Sequence, residues 1–202
     1  MRRSPSTQPP DMPVVQNKVP VVRCLERQRA SATLVTAMQC CTWIGQLVAS
    51  SLDRQVRYAV YVLTQGGVVA VPTDTVYGLA ADARSADAVR RVVDLKGRSP
   101  DAPLPLLVAD VAQAEAIAGP LSGSARTLAA KFWPGALTLV LPTSIDLPTS
   151  VLRDGAVGLR VPDDPICCRV IELFGGPVTG TSANLTGKPP AMTPDEVRKQ
   201  FG

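Results

Sequence analysis

The chain has 202 residues, 46% of them hydrophobic, a length and apolar content that suit one substantial domain with a real core. It contains no histidine, which excludes a Ser-His-Asp triad, a Cys-His pair, histidine metal ligands and an imidazole general base. Its net charge of +4 lies wholly at one end: Arg2, Arg3, Lys18, Arg23, Arg27 and Arg29 face only Asp11 and Glu26 before residue 53, and the remaining 15 basic and 15 acidic residues balance.

Residues 1–20 carry five prolines and little apolar periodicity, and read as a disordered tail. The stretch TLVTAMQCCTWIGQLVASSL suits a helix but lacks clear caps. This Arg-rich, acid-poor segment is similar both to an organellar transit peptide and to a translation start set too far upstream. Residues 1–52 are therefore treated as an N-terminal extension and 53–202 as a single domain. Asp53 is the predicted cap of a helix with Val56, Ala59, Val60 and Leu63 on one face, and Gly66-Gly67 ends it. Val68 to Val71 is a short apolar strand, followed by PTDTVYG and a second apolar piece, Gly78 to Ala83.

Ser85 is the expected N-cap of a helix through about Lys96. The loop KGRSPDAP then leads to a strand, Leu104 to Val108, and two helices follow around 110–118 and 122–132. WPGALTLVLP turns into a strand, as does Gly155 to Val161. Asp164 or Pro165 opens a helix that stops at Gly175-Gly176, Pro177 to Gly180 is a last short strand, and TPDEVRKQF begins a helix. Strands alternating with helices predict an α/β domain: a twisted, mostly parallel or mixed open sheet with flanking helices.

The cysteines are Cys24, Cys40, Cys41, Cys167 and Cys168, an odd number without a C-x-x-C spacing, which indicates neither a disulfide framework nor a zinc site. A reducing cytoplasm is the default compartment. No apolar run approaches the roughly 20 residues needed to cross a bilayer, so no membrane role is predicted.

Three polar clusters fall at strand ends, where ligands bind in open α/β sheets. In the first, Thr73 and Thr75 would share one face of an extended segment with Asp74 on the other; the pair could hold a polar ligand or bond its own backbone. The second, TGTSANLTG, offers hydroxyls and glycines suited to an anion, although six residues between Gly180 and Gly187 do not make a P-loop. The third is Arg160 within the apolar run VGLRVP, where burial demands an anionic partner from protein or ligand. Lys96 and Arg98 end a helix, where they complement its dipole or bind phosphate or carboxylate.

Together VVAVPTDTVYGLAADA, KGRSPDAPLPLLV, WPGALTLVLP, GLRVPDDP and PVTGTSANLTGKPP, in this order across residues 54–195, resemble the YrdC family of threonylcarbamoyl-AMP synthases. The resemblance implies an enzyme, a nucleotidyltransferase joining L-threonine, bicarbonate and ATP, the latter with magnesium. It also implies a downstream threonylcarbamoyl-transfer complex acting on adenosine 37 of tRNA, and leaves room for a weak direct tRNA contact. It assigns Thr73, Thr75, Tyr77, Arg160 and Gly180 to threonine; Lys96 and Arg98 to catalysis and the phosphates; and Ala102, Ser182, Asn184 and Pro190 to the nucleotide. No protein metal ligands are implied.

Three positions depart from the family pattern: Leu107 stands where some relatives have a histidine, Thr186 replaces a usual serine, and Gly202 comes where typical members continue with another strand and a Ser-Thr segment. A C-terminal truncation is therefore expected. Two alternatives remain at this level, a related carbamoyl-transferring domain and a non-catalytic nucleotide- or RNA-binding paralogue. The balanced charge of residues 53–202 speaks against strong nonspecific RNA binding.

Overall fold

The computed structural model describes residues 21–22, 40–99 and 102–202, the side chains of 40–50 excepted. The expected disordered tail, the targeting reading of the N-terminal segment, Cys24 and the side chains of Cys40 and Cys41 lie outside the described residues.

Helix α1 runs unbroken over Cys40–Thr64, so the predicted start at Asp53 is corrected. Asp53 lies mid-helix, where its carboxylate accepts from Arg57 one turn later at 2.7 Å instead of capping free N–H groups. Val56, Ala59, Val62 and Leu63 are its buried positions; Val60, predicted on that face, is only partly covered. The stop is as expected: Gly66 takes φ +71° and the Gly66 and Gly67 N–H groups donate to the Leu63 and Val62 carbonyls.

Five further helices follow among the described residues: α2 Ala86–Lys96, α3 Val111–Ala118, α4 Gly123–Phe132, α5 Pro165–Phe174 and α6 Pro194–Phe201. Ser85, Asp110, Asp164 and Thr193 each accept a backbone N–H at their helix starts, the capping chemistry that polar residues before an apolar periodicity provide.

The strands are β1 Val69–Val71, β2 Gly78–Ala80, β3 Leu106–Leu107, β4 Leu139–Pro142, β5 Leu152–Arg153, β6 Ala156–Arg160, β7 Val178–Thr179 and β8 Thr181–Ser182. One sheet has the order β1-β2-β8 and the other β4-β6-β3-β7, with β5 also on β6. An Asp82–Val178 bridge joins the two. Of the expected alternatives the sheet is mixed: β3 and β6 pair in parallel and the other named pairs are antiparallel. For β1-β2 and β5-β6 the reason is connection length. The six residues after β1 and the two after β5 are too few for a crossover helix, so the chain returns alongside itself. Strand β5 and the 3-10 turn before it, Thr149–Val151, carry no periodicity of their own and were not predicted.

The core forms two clusters. One is built on Leu79, Leu104, Leu106 and Leu159 beneath α2; the other packs α1 and α5 against Val69, Val71 and Val178. The hydroxyl turn is anchored by the fully buried β1 and β2, and Arg160 and Ser182 lie on the partly buried β6 and β8.

Candidate active site

The PTDTVYG segment links antiparallel β1 and β2 by a tight turn built by Thr73. Its hydroxyl donates to the Val76 carbonyl at 2.6 Å and accepts from the Thr75 and Val76 N–H groups at 3.2 and 3.3 Å. With that hydrogen committed, Thr75 is the donor of the 3.0 Å contact between the two hydroxyls. Thr73 therefore realises the backbone-bonding alternative. Because the segment turns, strand alternation does not apply, and the expectation that Asp74 faces away from the pair is corrected.

Arg160 ends β6 with its side chain 14% exposed, and its anionic partner is Asp74, whose side chain is 17% exposed although its backbone faces solvent. Nη2 donates to the Asp74 carboxylate at 2.5 Å and to the Thr75 hydroxyl at 3.3 Å, while Nε donates to the Gly135 carbonyl at 2.9 Å. The same Asp74 oxygen also accepts the Asp163 N–H at 3.2 Å. The need for an anion was legible in VGLRVP. Its identity was not, because 86 residues separate the pair and the turn that presents Asp74 depends on Thr73.

Gly180 lies beside this strand end. A Cβ there would sit 2.7 Å from Leu107 Cγ, and its N–H donates to the Pro105 carbonyl at 2.7 Å. Glycine is required by close approach, and Leu107 pairs with Arg160 across β3 and β6. Tyr77 is buried within the larger core cluster; its backbone N–H reaches the Ala191 carbonyl at 2.9 Å and its carbonyl accepts from Ala183 at 2.7 Å. With the pairing of Gly78 to Ser182, these bonds set the hydroxyl turn against the TSAN segment.

On the other side of that pairing lies a cavity of about 390 Å³. Lys96, Arg98, Ala102, Ser182 and Asn184 line it together with Ser99, Thr186 and Gly187. Pro190 is exposed and is not among the lining residues. Gly97 takes φ +59° and closes α2, which turns Lys96 inward and Arg98 into the loop. The buried Lys96 ammonium donates to the Ser182 carbonyl at 2.5 Å and to the Asn184 carbonyl at 2.8 Å. Ser182 in turn donates to Asn184 Oδ1 at 2.5 Å, and the Asn184 amide is spent on the Leu185 and Lys188 carbonyls.

Lys96 is held by neutral acceptors, so burial, and after it the like charge of Arg98, lower its pKa to about 8. Arg98 donates to the Pro103 carbonyl at 3.4 Å, and its Nε is buried without a partner among the described residues. Neither cation makes an ion pair among the described residues. Two cations set against neutral acceptors in one cavity can accommodate an anion.

Burial raises the Cys168 thiol to about 11 and pushes Cys167 well up, which leaves both as thiols at neutral pH. Among the described residues no three His, Cys, Asp or Glu side chains gather as a metal site.

Residues 61–202 match the Sua5/YciO/YrdC family model, described as telomere recombination. A threonylcarbamoyl-AMP synthase of Bacillus subtilis is 44% identical over 142 residues, covering 69% of this chain and 41% of that protein. One of Halorhodospira halophila is 42% identical over 151 residues, covering 73% of this chain and 78% of its own length. Among solved structures, Pyrococcus abyssi Sua5 complexed with L-threonine superposes with a TM-score of 0.69 at 37% identity, covering 74% of this chain and 46% of that one. The chain thus spans less than half the length of the Bacillus and Pyrococcus proteins it matches.

Proposed function

The chain belongs to the Sua5/YciO/YrdC family, and from that premise we propose that it forms threonylcarbamoyl-AMP and pyrophosphate from L-threonine, bicarbonate and ATP. The observation that carries this reading is the pair of cations in the 390 Å³ cavity that have no counter-ion among the described residues, where Arg98 Nε is also buried and lacks an acceptor. A triphosphate supplies the missing negative charge and acceptors; the threonine-bound relative supports placing the amino acid in the adjoining half.

The threonine amine and carbon dioxide, from bicarbonate, give a carbamate with release of a proton. A carbamate oxygen then attacks the ATP α-phosphorus, the bond from that phosphorus to the bridging oxygen breaks, and pyrophosphate leaves. No side-chain nucleophile is needed, which suits a chain without histidine. Lys96 and Arg98 neutralise charge on the phosphates, and Ser182 and the loop backbone orient them. Thr75 and Arg160 hold threonine, with Tyr77 and Gly180 shaping the wall behind it. Arg160 already carries Asp74, so it contributes through the guanidinium edge that Asp74 and Gly135 leave open.

Magnesium in this scheme travels with the triphosphate. The product would pass to a threonylcarbamoyl-transfer complex acting on tRNA, with at most a weak direct tRNA contact, in the cytoplasm. No helix among the described residues is long and apolar enough to cross a membrane. Residues 53–202 are the proposed catalytic domain.

The test is mass-spectrometric detection of threonylcarbamoyl-AMP by the purified chain with all three substrates, together with pyrophosphate release. Release that requires threonine and bicarbonate supports the proposal. Release independent of threonine, or dependent on carbamoyl phosphate instead, overturns it.

A further inference from the structure

Helix α6 lies outside the motifs of the hydroxyl turn and the cavity, yet one of its side chains reaches the loop that contributes Thr186 and Gly187 to the cavity. Val197 is fully buried and Phe201, four residues on, packs against the same core. Gln200, three residues from Val197, therefore emerges on that side of the helix. The helix start is fixed independently by the reciprocal cap of Thr193 and Glu196.

Gln200 commits its amide to the backbone of the cavity loop. Oε1 accepts from the Leu185 N–H at 2.9 Å and Nε2 donates to the Pro189 carbonyl at 3.2 Å. Reversing the amide would set hydrogens against an N–H and oxygen against a carbonyl, so one orientation serves both ends. Between these anchors lie Thr186 and Gly187, both lining the cavity. From the cavity side the loop is held by Thr186 N–H donating to the Lys96 carbonyl at 2.9 Å and by Asn184 Nδ2 donating to the Lys188 carbonyl at 2.7 Å. Gln200 clasps the same loop from outside, at both of its ends.

We propose that Gln200 is a positioning residue for nucleotide binding, holding loop 185–189 in the conformation that meets the phosphates. The inference rests on the nucleotide reading of the cavity given above. A loop ordered before the ligand arrives need not be ordered by it, and the saving appears as affinity. Gly187, at φ +82°, marks a backbone that needs external restraint to stay in one conformation.

The experiment measures ATP binding without threonine, and threonine binding separately, by calorimetry on the parent, Gln200→Met and Gln200→Glu. Methionine keeps the bulk and loses both hydrogen bonds. Glutamate keeps the acceptor for Leu185 and sets a carboxylate against the Pro189 carbonyl. The expected result is an ATP Kd raised about three- to tenfold in Gln200→Met and further in Gln200→Glu, with the threonine Kd unchanged. An unchanged ATP Kd in both variants overturns the inference. So does a parallel weakening of ATP and threonine in step with a lower Tm, which is the signature of a merely structural residue. Arg98→Ala separates the two failures: if it weakens ATP while the Gln200 variants do not, positioning alone fails. If it too leaves ATP binding intact, the cavity reading fails and takes the inference with it.

Discussion

The hydroxyl turn and the cavity meet at one strand pairing, β2 with β8, and these two halves of the candidate site differ in how their charge is settled. In the hydroxyl half Arg160 already has a carboxylate at 2.5 Å, two further acceptors and little solvent. In the cavity half Lys96 and Arg98 stand together with neutral acceptors and no counter-ion among the described residues. A site that balances itself is a stability element as well as a binding element. One left with excess charge is costly until a ligand arrives, which makes it the better marker of function.

The sharpest way to break the comparison is Arg98→Ala. Among the described residues the Arg98 side chain makes one long bond, so the variant should unfold within a degree or two of the parent. Its kcat/KM for ATP should fall by roughly a hundredfold or more, the scale of losing a preorganised charge at a developing phosphate charge. Steady-state pyrophosphate release and a thermal melt together check this; a large Tm loss with intact kinetics would reverse the roles assigned to the halves.

Asp74→Ala should do the opposite, showing first in stability. It leaves the guanidinium uncompensated and removes the acceptor of the Asp163 N–H. Allowing for the residual exposure of both side chains, the cost should be about 2 kcal/mol in denaturant unfolding. Asp74→Ala with Arg160→Met should recover part of that loss, because the unpaired charge goes too. A double variant no more stable than Asp74→Ala would show that the pair is not the source.

Gly180→Ala comes next, at about 1.5 kcal/mol, since its Cβ would lie 2.7 Å from Leu107 Cγ in a close-packed layer. Adding Leu107→Ala should relieve the clash while opening a cavity of its own. Denaturation midpoints of the four chains in this cycle measure the coupling; additive losses would count against the contact.

The residues legible from sequence were those whose roles are local. Ser85, Asp164 and Gly97 carry capping and stop signals within one turn of the helices they bound, and these elements lie where periodicity puts them. Lys96, Arg98, Ser182 and Asn184 could be grouped only through the family resemblance of their motifs, since each alone read as a helix end or a weak strand-end cluster, and they do line one cavity. The Asp74 and Gln200 contacts were not legible. Asp74 depends on a turn meeting a side chain 86 residues away, and Gln200 on a helix face folding back onto a loop 11 to 15 residues earlier, and neither spacing nor composition encodes those meetings. The mixed pairing was half legible, since short connections forbid parallel neighbours only once both strands have been recognised.

Lys96 gives the last distinction, because its protonation should pull stability and binding in opposite directions. Burial lowers its pKa to about 8 in the folded chain, against 10.5 ordinarily, so below pH 8 folding must carry a charge it disfavours. As pH rises through 8 the unfolded chain holds the proton and the folded chain releases it, and stability contributed at this position increases. Cys168 acts with the opposite sign only above its ordinary 9, since its folded pKa is raised to about 11. The window between pH 8 and 9 therefore belongs to Lys96. Over the same window the cation proposed to meet the phosphates is lost. ATP affinity should fall about tenfold from pH 7 to pH 9 if the charged form alone binds, equivalent to about 1.4 kcal/mol. Lys96→Met should abolish both trends, leaving a weaker ATP Kd that no longer changes across this range. Parallel loss of stability and affinity in the parent would instead mean that a group other than Lys96 governs the cavity.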